Sequence, residues 1–536
     1  MKIGREFTQP FEYLIPIGFC ISGSLFAFLK VLESGSKYIP GDLIDSRLVN
    51  LLMEHGYLYF FSDQNESLWN PFWIFYPAEN SLTLTESMIG ALPVYILFRL
   101  TGLDAPEAYQ GWFVVSGILN FFFCYLFLRI IKLQNFAASA GAFLFAFSMP
   151  VTSLMNHPQL LQRFFIPLSS VFLYLYFISN KKKKRILSLY LFFIFSAFQF
   201  WTGNYTGWFY FYILLLVFLI ALFFKNTRNI LIQSLNRDRI HFFSGVLLAF
   251  LTALPLILRL AAHQSERSWE ETLSYAPDVY YLLKPHPGSF LYRNLNLFSL
   301  YLKTGMSTVL FSGLISLTVP LIIIFKSVFL RFTGKLSNSE FDFFQLFLLI
   351  LSILVVSVFF SFLRFGDFSL WYFVYHTLPG ADAIRAVSRI IAVLIFPSAI
   401  LTAALVDRIR AIPAAGIYLS WLLSFMVVIE NSHFYNYTYS KNDHRFLVAE
   451  IENRLTNSGC SVFHYRNPKY VSLFSDVDAM WASLRTGIPT VNGYSGGIPP
   501  GWKLNDRSIV EKKDIKEWLA KNQVVVPDKK ICIFSE

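Results

Sequence analysis

Apolar residues along the chain are grouped in runs of about 20, separated by shorter polar segments. A run of this length matches the hydrocarbon thickness of a bilayer, whereas a soluble helix of equal length would need a polar face. The pattern predicts eleven membrane spans, at 11–30, 110–131, 136–152, 158–179, 186–203, 206–224, 241–261, 306–327, 341–362, 387–406 and 411–430. Segment 86–100 is also apolar, but it is short and contains Pro93, so we expect an interfacial helix there.

The composition agrees with a polytopic α-helical membrane protein. Hydrophobic residues make up 55% of the chain and charged residues only 15%, with a mean hydropathy of +0.49. The net charge of +11 comes from basic residues at the ends of apolar runs, as in "NKKKKRILS" (180–188) and in 225–239. This distribution is typical of cytoplasmic loops that fix topology, and we expect no nucleic-acid partner.

The basic loops also predict an orientation. They place the N-terminus, with Lys2 and Arg5 before an uncleaved first span, in the cytoplasm. The alternation of spans then puts loops 31–109, 262–305 and 363–386 on the outer side of the membrane. Residues 1–430 form the transmembrane domain in this prediction, and residues 431–536 form an extracytoplasmic domain.

The C-terminal domain has a different pattern. Polar and apolar residues alternate there in segments that predict helices and strands in turn, which indicates a small α/β domain with parallel strand pairing. Cys460 and Cys532 accompany its first and last strands. An oxidising compartment would allow a disulfide between them, but two isolated cysteines are also compatible with free thiols.

The first outer loop contains the strongest candidate for chemistry. Asp42 and Asp45 are three residues apart, so on a helix both carboxylates face one side, with Arg47 close enough to pair with them. One carboxylate could act as a base or bind a cation while the other tunes it. The alternative is an acidic pair that caps the start of a helix. Their position among interfacial aromatic residues favours a site.

Further polar residues are predicted on the same outer side. Arg385 and Arg389 are four apart, which on a helix would stack two guanidinium groups able to hold a phosphate, or leave them to pair with Asp382. His157 either caps a helix that starts at Pro158 or points into the outer cavity. Tyr205 and Arg267 are candidate cavity-lining residues, with an interfacial aromatic belt and a solvated loop as the respective alternatives.

Several motifs carry a family resemblance. The segments "GDLIDSR", "LWNPFWIFYP" and "ESMIGALPVYILFRLTGL" follow the first predicted span in this order. They resemble the first outer loop of the GT-C-type membrane glycosyltransferases. The segments "NHPQLLQRFFIPL" (156–168), "LPGADAIRAVSRI" (378–390) and "VNGYSGGIPPGW" (491–502) resemble pieces of bacterial GT-C-like membrane proteins of uncharacterised substrate.

This resemblance implies a function in the envelope of a bacterial cell, with the protein in the inner (plasma) membrane. It implies transfer of a sugar from a polyprenyl-phosphate donor to an unknown acceptor, with Asp42 or Asp45 as the general base. We expect Asp42 to be the base, Asp45 to support it or bind a divalent cation, and membrane lipids to surround the protein. The candidate substrate-binding residues are Arg385, Arg389, Arg267, His157, Tyr205 and Glu86. Two alternatives remain at this point: a transporter or flippase of lipid-linked sugars, and a non-catalytic envelope-assembly protein.

Overall fold

The computed structural model describes residues 11–62, 67–261, 267–293, 308–333, 342–433, 437–468, 472–504 and 510–535. Within these ranges, ten helical segments are long and apolar enough to cross a membrane: Leu14–Glu33, Ala105–Ile130, Asn135–Thr152, Pro158–Ile178, Lys182–Thr202, Asn204–Phe223, Lys225–Ala261, Leu314–Phe332, Phe343–Phe362 and Val387–Arg410. Each coincides with a predicted span, so the polytopic α-helical fold is confirmed. Lys2 and Arg5 lie outside the described residues.

The helices and strands are numbered in chain order. The helices are α1 (Phe11–Glu33), α2 (Asp45–Phe61), α3 (Leu92–Leu100), α4 (Ala105–Ile130), α5 (Asn135–Phe147), α6 (Met149–Thr152), α7 (Phe165–Ile178), α8 (Lys182–Thr202), α9 (Asn204–Phe223), α10 (Lys225–Ala261), α11 (Trp269–Ser274), α12 (Leu314–Phe332), α13 (Phe343–Phe362), α14 (Trp371–Thr377), α15 (Ile391–Arg410), α16 (Gly416–Asn431), α17 (Lys441–Thr456), α18 (Ser472–Thr486) and α19 (Lys512–Lys521). The strands are β1 (Tyr38–Pro40), β2 (Arg364–Phe365), β3 (Phe368–Ser369), β4 (Thr438–Ser440), β5 (Val462–Arg466) and β6 (Ile531–Ser535).

Two predicted segments are shorter than a full span. The eleventh predicted span corresponds to α16, whose 16 residues extend about 24 Å. Segment 86–100 contains the short apolar helical stretch Ile89–Leu100, as its length and Pro93 indicated. The predicted basic loop 225–240 is wrong in one respect, because these residues are helical. They form the first part of α10, which kinks at Asp238, where the carboxylate pairs with Arg185 at 2.8 Å.

Helices α5 and α15 lie at the centre of the bundle. The buried fraction of the most apolar stretch is 94% in the span that contains α5 and 89% in the span that contains α15, whereas it is 11% in α10. Small residues allow these two helices to approach closely. A side chain at Gly141 would meet the carbonyl oxygen of Ala399 and the Cβ of Ala403 at 2.8 Å. The glycine at this position therefore lets α5 lie directly against α15.

The C-terminal segment is α/β, and its strands β5 and β6 pair in parallel, from Val462 opposite Ile531 to Arg466 opposite Ser535. Cys460 and Cys532 form a disulfide bond beside this pair. The sequence also predicts a strand in "IPTVNGY" (488–494), but among the described residues this segment forms an isolated bridge, between Thr490 and Phe463.

The C-terminal segment also contacts the segment that follows α1. Strand β4 pairs antiparallel with β1, with Ile39 opposite Tyr439. The indole N–H of Trp481 in α18 donates to the carbonyl oxygen of Arg47 in α2, at 3.2 Å. The C-terminal segment therefore holds β1 and α2 in place.

Candidate active site

A tight turn at the start of α2 places the two acidic residues. Gly41 has a φ of +103°, and a side chain there would collide with the hydroxyl group of Ser46. Oδ1 of Asp42 accepts hydrogen bonds from the backbone N–H groups of Ile44, at 3.1 Å, and Ser46, at 3.0 Å. Asp42 thus caps the first turn of α2, while Asp45, the first residue of the helix, makes its contacts elsewhere.

Asp45 binds two side chains from distant parts of the sequence. Its Oδ2 lies 2.6 Å from Nδ1 of His157, and its Oδ1 accepts a hydrogen bond from the hydroxyl group of Tyr494. The side chains of Asp45 and His157 are 20% and 14% exposed. The pair is therefore mostly buried but retains some contact with solvent. His157 lies in the turn between α6 and α7, and Tyr494 lies in a loop of the C-terminal segment.

The second ring nitrogen of His157 contacts an arginine. Nη2 of Arg389 lies 3.2 Å from Nε2 of His157. A guanidinium group only donates hydrogen bonds, so Nε2 must be the acceptor and the ring proton must be on Nδ1, directed at Asp45. His157 is therefore a neutral imidazole between an anion and a cation.

The electrostatic environment agrees with this assignment. Burial and the charge of Arg389 lower the pKa of His157, against the opposing effect of Asp45. Burial alone would raise the pKa of Asp45, but the hydrogen bonds from His157 and Tyr494 and the nearby positive charge outweigh it and lower that pKa. Asp45 is ionised and His157 is neutral at pH 7.

The two carboxylates differ in their proton affinity. Burial raises the pKa of Asp42 to about 6, and repulsion from Asp45 adds to the effect, while backbone N–H groups oppose it. Neighbouring carboxylates whose environments separate their pKa values in this way can play different roles in acid–base chemistry. Asp42 is the one suited to take up a proton near neutral pH.

Arg385 and Arg389 belong to one polar cluster. The guanidinium of Arg389 lies 5.4 Å from the ring centre of Tyr205, whose hydroxyl oxygen accepts a hydrogen bond from the backbone N–H of Arg385 at 3.4 Å. Arg385 lies 3.7 Å from Glu271, which is equally close to Arg267. The side chain of Arg267 in turn donates to the carbonyl oxygen of Gly496.

Glu86 lies beside this cluster at the start of α9. Its carboxylate accepts a hydrogen bond from the backbone N–H of Asn204, the first residue of that helix. Burial raises the pKa of Glu86 to about 7, although Asn204 and Arg389 both favour the ionised form. The start of a helix carries a partial positive charge, which accounts for the placement of an acidic group there.

The structure thus brings the predicted residues into one neighbourhood. His157 does not cap a helix with its side chain but binds Asp45 and Arg389. The expected stacking of Arg385 and Arg389 on a helix face is wrong, because the helical turn begins only at Val387. The preceding residues bond to other loops instead, as the carbonyl oxygen of Asp382 does with the backbone N–H of Arg267.

Tyr494 is the site residue that the sequence did not identify. Its segment, "VNGYSGGIPP", has the composition of a turn, and spacing gives no signal that the tyrosine contacts Asp45. Gly493 packs against the ring of Phe75, and a side chain at this position would meet that ring at 2.1 Å. The backbone N–H of Phe75 donates to the carbonyl oxygen of Asn492 at 2.8 Å. These contacts hold the loop against the segment before α3.

A metal ion does not fit the acidic residues. Across the described ranges, no group of three or more His, Cys, Asp or Glu side chains is arranged to hold one. Both carboxylate oxygens of Asp45 already accept hydrogen bonds, and Oδ1 of Asp42 accepts two. A divalent cation requires several oxygen ligands free to face it. The oxygen atoms of Asp42 and Asp45 therefore do not match the divalent cation that the sequence analysis considered.

Fold and site define a polytopic helical membrane protein with an acidic and basic cluster at the ends of its helices. No family model and no curated protein matches the sequence. Among solved structures, the chain is similar to the Archaeoglobus fulgidus oligosaccharyltransferase in complex with Zn and sulfate, and to ArnT from Cupriavidus metallidurans in the apo state. Both are GT-C glycosyltransferases, the superfamily that the sequence motifs resemble.

The two similarities extend over most of this chain. The first covers 90% of it and 63% of the oligosaccharyltransferase, with 12% identity and a TM-score of 0.48. The second covers 88% of it and 84% of ArnT, with 12% identity and a TM-score of 0.41. The chain therefore spans less than two thirds of the oligosaccharyltransferase. At these values the likeness says nothing about substrates or activity.

Proposed function

We propose that the protein is a membrane glycosyltransferase that moves a sugar from a polyprenyl-phosphate donor to an acceptor hydroxyl group. One observation carries the proposal: Asp45 and Arg389 bind opposite nitrogens of the same His157 ring. The His157 ring thus lies between a carboxylate pair suited to acid–base chemistry and an arginine suited to binding a phosphate. Transfer from a sugar phosphate requires both functions at a single reacting centre.

The arginines have charge available for the donor phosphate. Among the described residues, Arg389 makes no ion pair with a carboxylate within 4 Å, and its guanidinium contacts an imidazole and an aromatic ring instead. In the same described ranges, the one carboxylate within 4 Å of the Arg385 guanidinium is that of Glu271, at 3.7 Å. Guanidinium groups match phosphate oxygens with two parallel hydrogen bonds, and a partly dry site strengthens the contact. These two residues would hold the phosphate and stabilise the charge that develops as it departs.

Asp42 is the base in this proposal. With a pKa raised to about 6, it is ionised at neutral pH yet accepts a proton more readily than an ordinary aspartate. Asp45 keeps His157 and Tyr494 in place and holds the pKa of Asp42 up through its charge. Glu86, Tyr205 and Arg267 would line the space in which the sugar lies.

The location of the charges favours this function over transport. Asp45 begins α2, Glu86 lies at the start of α9, and Arg389 lies in the turn that precedes α15. A transporter that carries a charged substrate across the bilayer would place its binding groups near the middle of its spans. We infer that this end of the bundle faces the outer side of a bacterial plasma membrane, as the basic loops at the other end favour.

Transfer of a labelled sugar tests the proposal. The full chain, purified in lipid nanodiscs, would be supplied with undecaprenyl phosphate esters of glucose, mannose, galactose and aminoarabinose, together with a membrane lipid extract as the acceptor source. We expect label to move to an acceptor, and Asp42→Asn to slow the transfer by about 10²–10⁴-fold. Asp367→Asn, at an exposed carboxylate, is the matched control and should retain the full rate.

Two results would overturn the proposal. One is the absence of transfer from every donor by a protein that elutes as a single folded species. The other is a wild-type rate in both Asp42→Asn and Asp45→Asn. Movement of the intact lipid-linked sugar between the two leaflets, measured after reconstitution of the same protein into sealed liposomes, would identify the protein as a flippase instead.

A further inference from the structure

Arg389 donates a hydrogen bond to Nε2 of His157. A phosphate bound by Arg389 would compete for the same N–H group and break this hydrogen bond. We propose that His157 is the general acid that protonates the departing lipid phosphate, and that Arg389 keeps its Nε2 unprotonated until that phosphate is bound. This inference rests on the glycosyl transfer proposed above. It assigns a proton donor to the leaving group, which neither carboxylate supplies.

The orientation of the imidazole ring suits a proton donor. Nδ1 is fixed at 2.6 Å from Asp45, which is itself held by the hydroxyl group of Tyr494. Nε2 therefore faces the guanidinium of Arg389, which is where the proposal places the phosphate. A carboxylate behind Nδ1 stabilises an imidazolium once Nε2 takes up a proton. The ring thus lies between the Asp45 carboxylate, which would stabilise its protonated form, and the proposed position of the phosphate.

The surrounding charges explain how binding would change the protonation of His157. In the free protein, burial and the positive charges of Arg389 and Arg385 disfavour the imidazolium, and Asp45 favours it. Of the remaining acidic groups, Asp42 lies beside Asp45, and Glu86 lies beside the start of α9. A phosphate between the arginines would neutralise their repulsion and draw the N–H groups of Arg389 away from Nε2. His157 would then take up one proton from solvent.

The reaction balances with these groups. The acceptor oxygen forms a bond to the anomeric carbon as the bond from that carbon to the phosphate oxygen breaks, and the electron pair of the broken bond stays on this oxygen. The acceptor proton moves to Asp42, and the proton on Nε2 of His157 moves to the departing oxygen. Asp42 then releases its proton to solvent, and the Arg389–His157 contact re-forms when the lipid phosphate leaves.

Proton uptake on binding tests the inference independently of turnover. The probe is the methyl diester of undecaprenyl phosphate, which has one negative charge, no group that titrates near pH 7 and no sugar to transfer. Calorimetric titration into nanodiscs at pH 7, repeated in buffers with different enthalpies of ionisation, gives the number of protons taken up. We expect uptake approaching one proton per bound diester in the wild type.

Matched variants locate the proton. His157→Gln should still bind the diester, within about threefold of the wild type, but take up no proton. His376→Gln, at an exposed ring on α14, should behave as the wild type does. Arg389→Gln should bind the diester at least tenfold more weakly. Elution as a single species and retained diester binding by His157→Gln confirm that this variant is folded.

The outcomes separate the two proposals. Binding without proton uptake by the wild type, or equal uptake by His157→Gln, would overturn the role of His157 and leave the glycosyl transfer intact. Failure of the wild type to bind the diester contradicts both. A kinetic result completes the test: His157→Gln should lower kcat by about 10²-fold or more. Its KM should stay nearly unchanged, because Arg385 and Arg389 still bind the donor.

Discussion

The guanidinium of Arg47 lies 2.5 Å from a carboxylate oxygen of Asp478, and both side chains are almost completely buried. Nε of Arg47 also donates to Nδ1 of His444, at 2.9 Å. Arg47 follows Asp45 by two residues in α2, whereas Asp478 and His444 belong to the C-terminal helices α18 and α17. The contact therefore fixes the helix that carries the acidic pair against the last part of the chain.

Breaking this pair should destabilise the protein. Asp478→Asn or Arg47→Met leaves one buried charge without its counter-ion, so we expect a loss of about 3–5 kcal/mol in the free energy of unfolding. The double substitution Arg47→Met with Asp478→Leu should recover part of the loss. Arg445→Met, which removes a half-exposed partner of Asp104, should cost about 1 kcal/mol or less. Thermal unfolding in detergent measures all four, and equal effects for Asp478→Asn and Arg445→Met would contradict the prediction.

The rate of transfer should depend on pH through Asp42. Because burial and Asp45 raise the pKa of Asp42 to about 6, the base is increasingly protonated below that pH. We expect kcat/KM to fall about tenfold for each pH unit below 6. The residual activity of Asp42→Asn should not show this decrease of kcat/KM below pH 6. A wild-type profile that stays level down to pH 5 would exclude Asp42 as the base.

Glu86 should make stability depend on pH near neutrality. Burial raises its pKa from 4.5 to about 7, so the folded protein binds this proton more tightly than the unfolded chain does. The stabilising contribution is complete below pH 4.5 and is lost as the pH rises through 7. Glu86→Gln keeps an acceptor for the backbone N–H of Asn204 but cannot ionise.

The measurement is the difference in Tm between Glu86→Gln and the wild type at several pH values. We expect the variant to gain several degrees relative to the wild type between pH 5 and pH 8. Glu33→Gln, at an exposed position near the end of α1, should show no such trend. A constant difference across this range would mean that Glu86 ionises as an ordinary glutamate does.

The disulfide bond between Cys460 and Cys532 should contribute to the stability of the C-terminal segment. It joins residues 72 positions apart, next to the paired strands β5 and β6. Cys532→Ser should lower the free energy of unfolding by about 2–4 kcal/mol, because the unfolded chain is less constrained. Cys20→Ser is the comparison, since Cys20 is a free thiol in α1. Protein isolated without reductant that still reacts with a thiol reagent at Cys460 would refute the bond.

The sequence predicts the membrane helices well because a span is determined by local properties. A run of apolar residues must satisfy its backbone within itself in a bilayer, so length and hydropathy identify it without knowledge of its neighbours. The same local logic separates Ile89–Leu100 from the spans. The alternation of helices and strands predicted parallel pairing in the C-terminal segment, but only the structure shows that β5 pairs with β6. It fails for residues 225–240, where basic side chains indicated a loop. Those residues continue a helix, and the Arg185–Asp238 contact at its kink depends on tertiary structure.

The site was only partly predictable, for the same physical reason. Asp42, Asp45 and His157 stand out as polar residues at the ends of apolar runs, and the structure places them together. Which carboxylate binds His157 depends on the turn at Gly41, which directs Asp42 to the backbone and leaves Asp45 free. Tyr494 could not be found at all, because a lone tyrosine in a glycine-rich loop looks the same whether or not a distant aspartate accepts its hydrogen bond.

The pairing of β1 with β4 and the bond from Tyr494 to Asp45 have a consequence for biogenesis. A ribosome produces Asp45 and most of the spans long before it reaches Tyr494, so the bundle can enter the membrane while the cluster is still incomplete. A chain that terminates early would insert and yet lack both the hydroxyl group on Asp45 and the buried partner of Arg47. The reactive cluster can therefore be completed only after the spans have been synthesised, and translation products that end before Tyr494 would lack it.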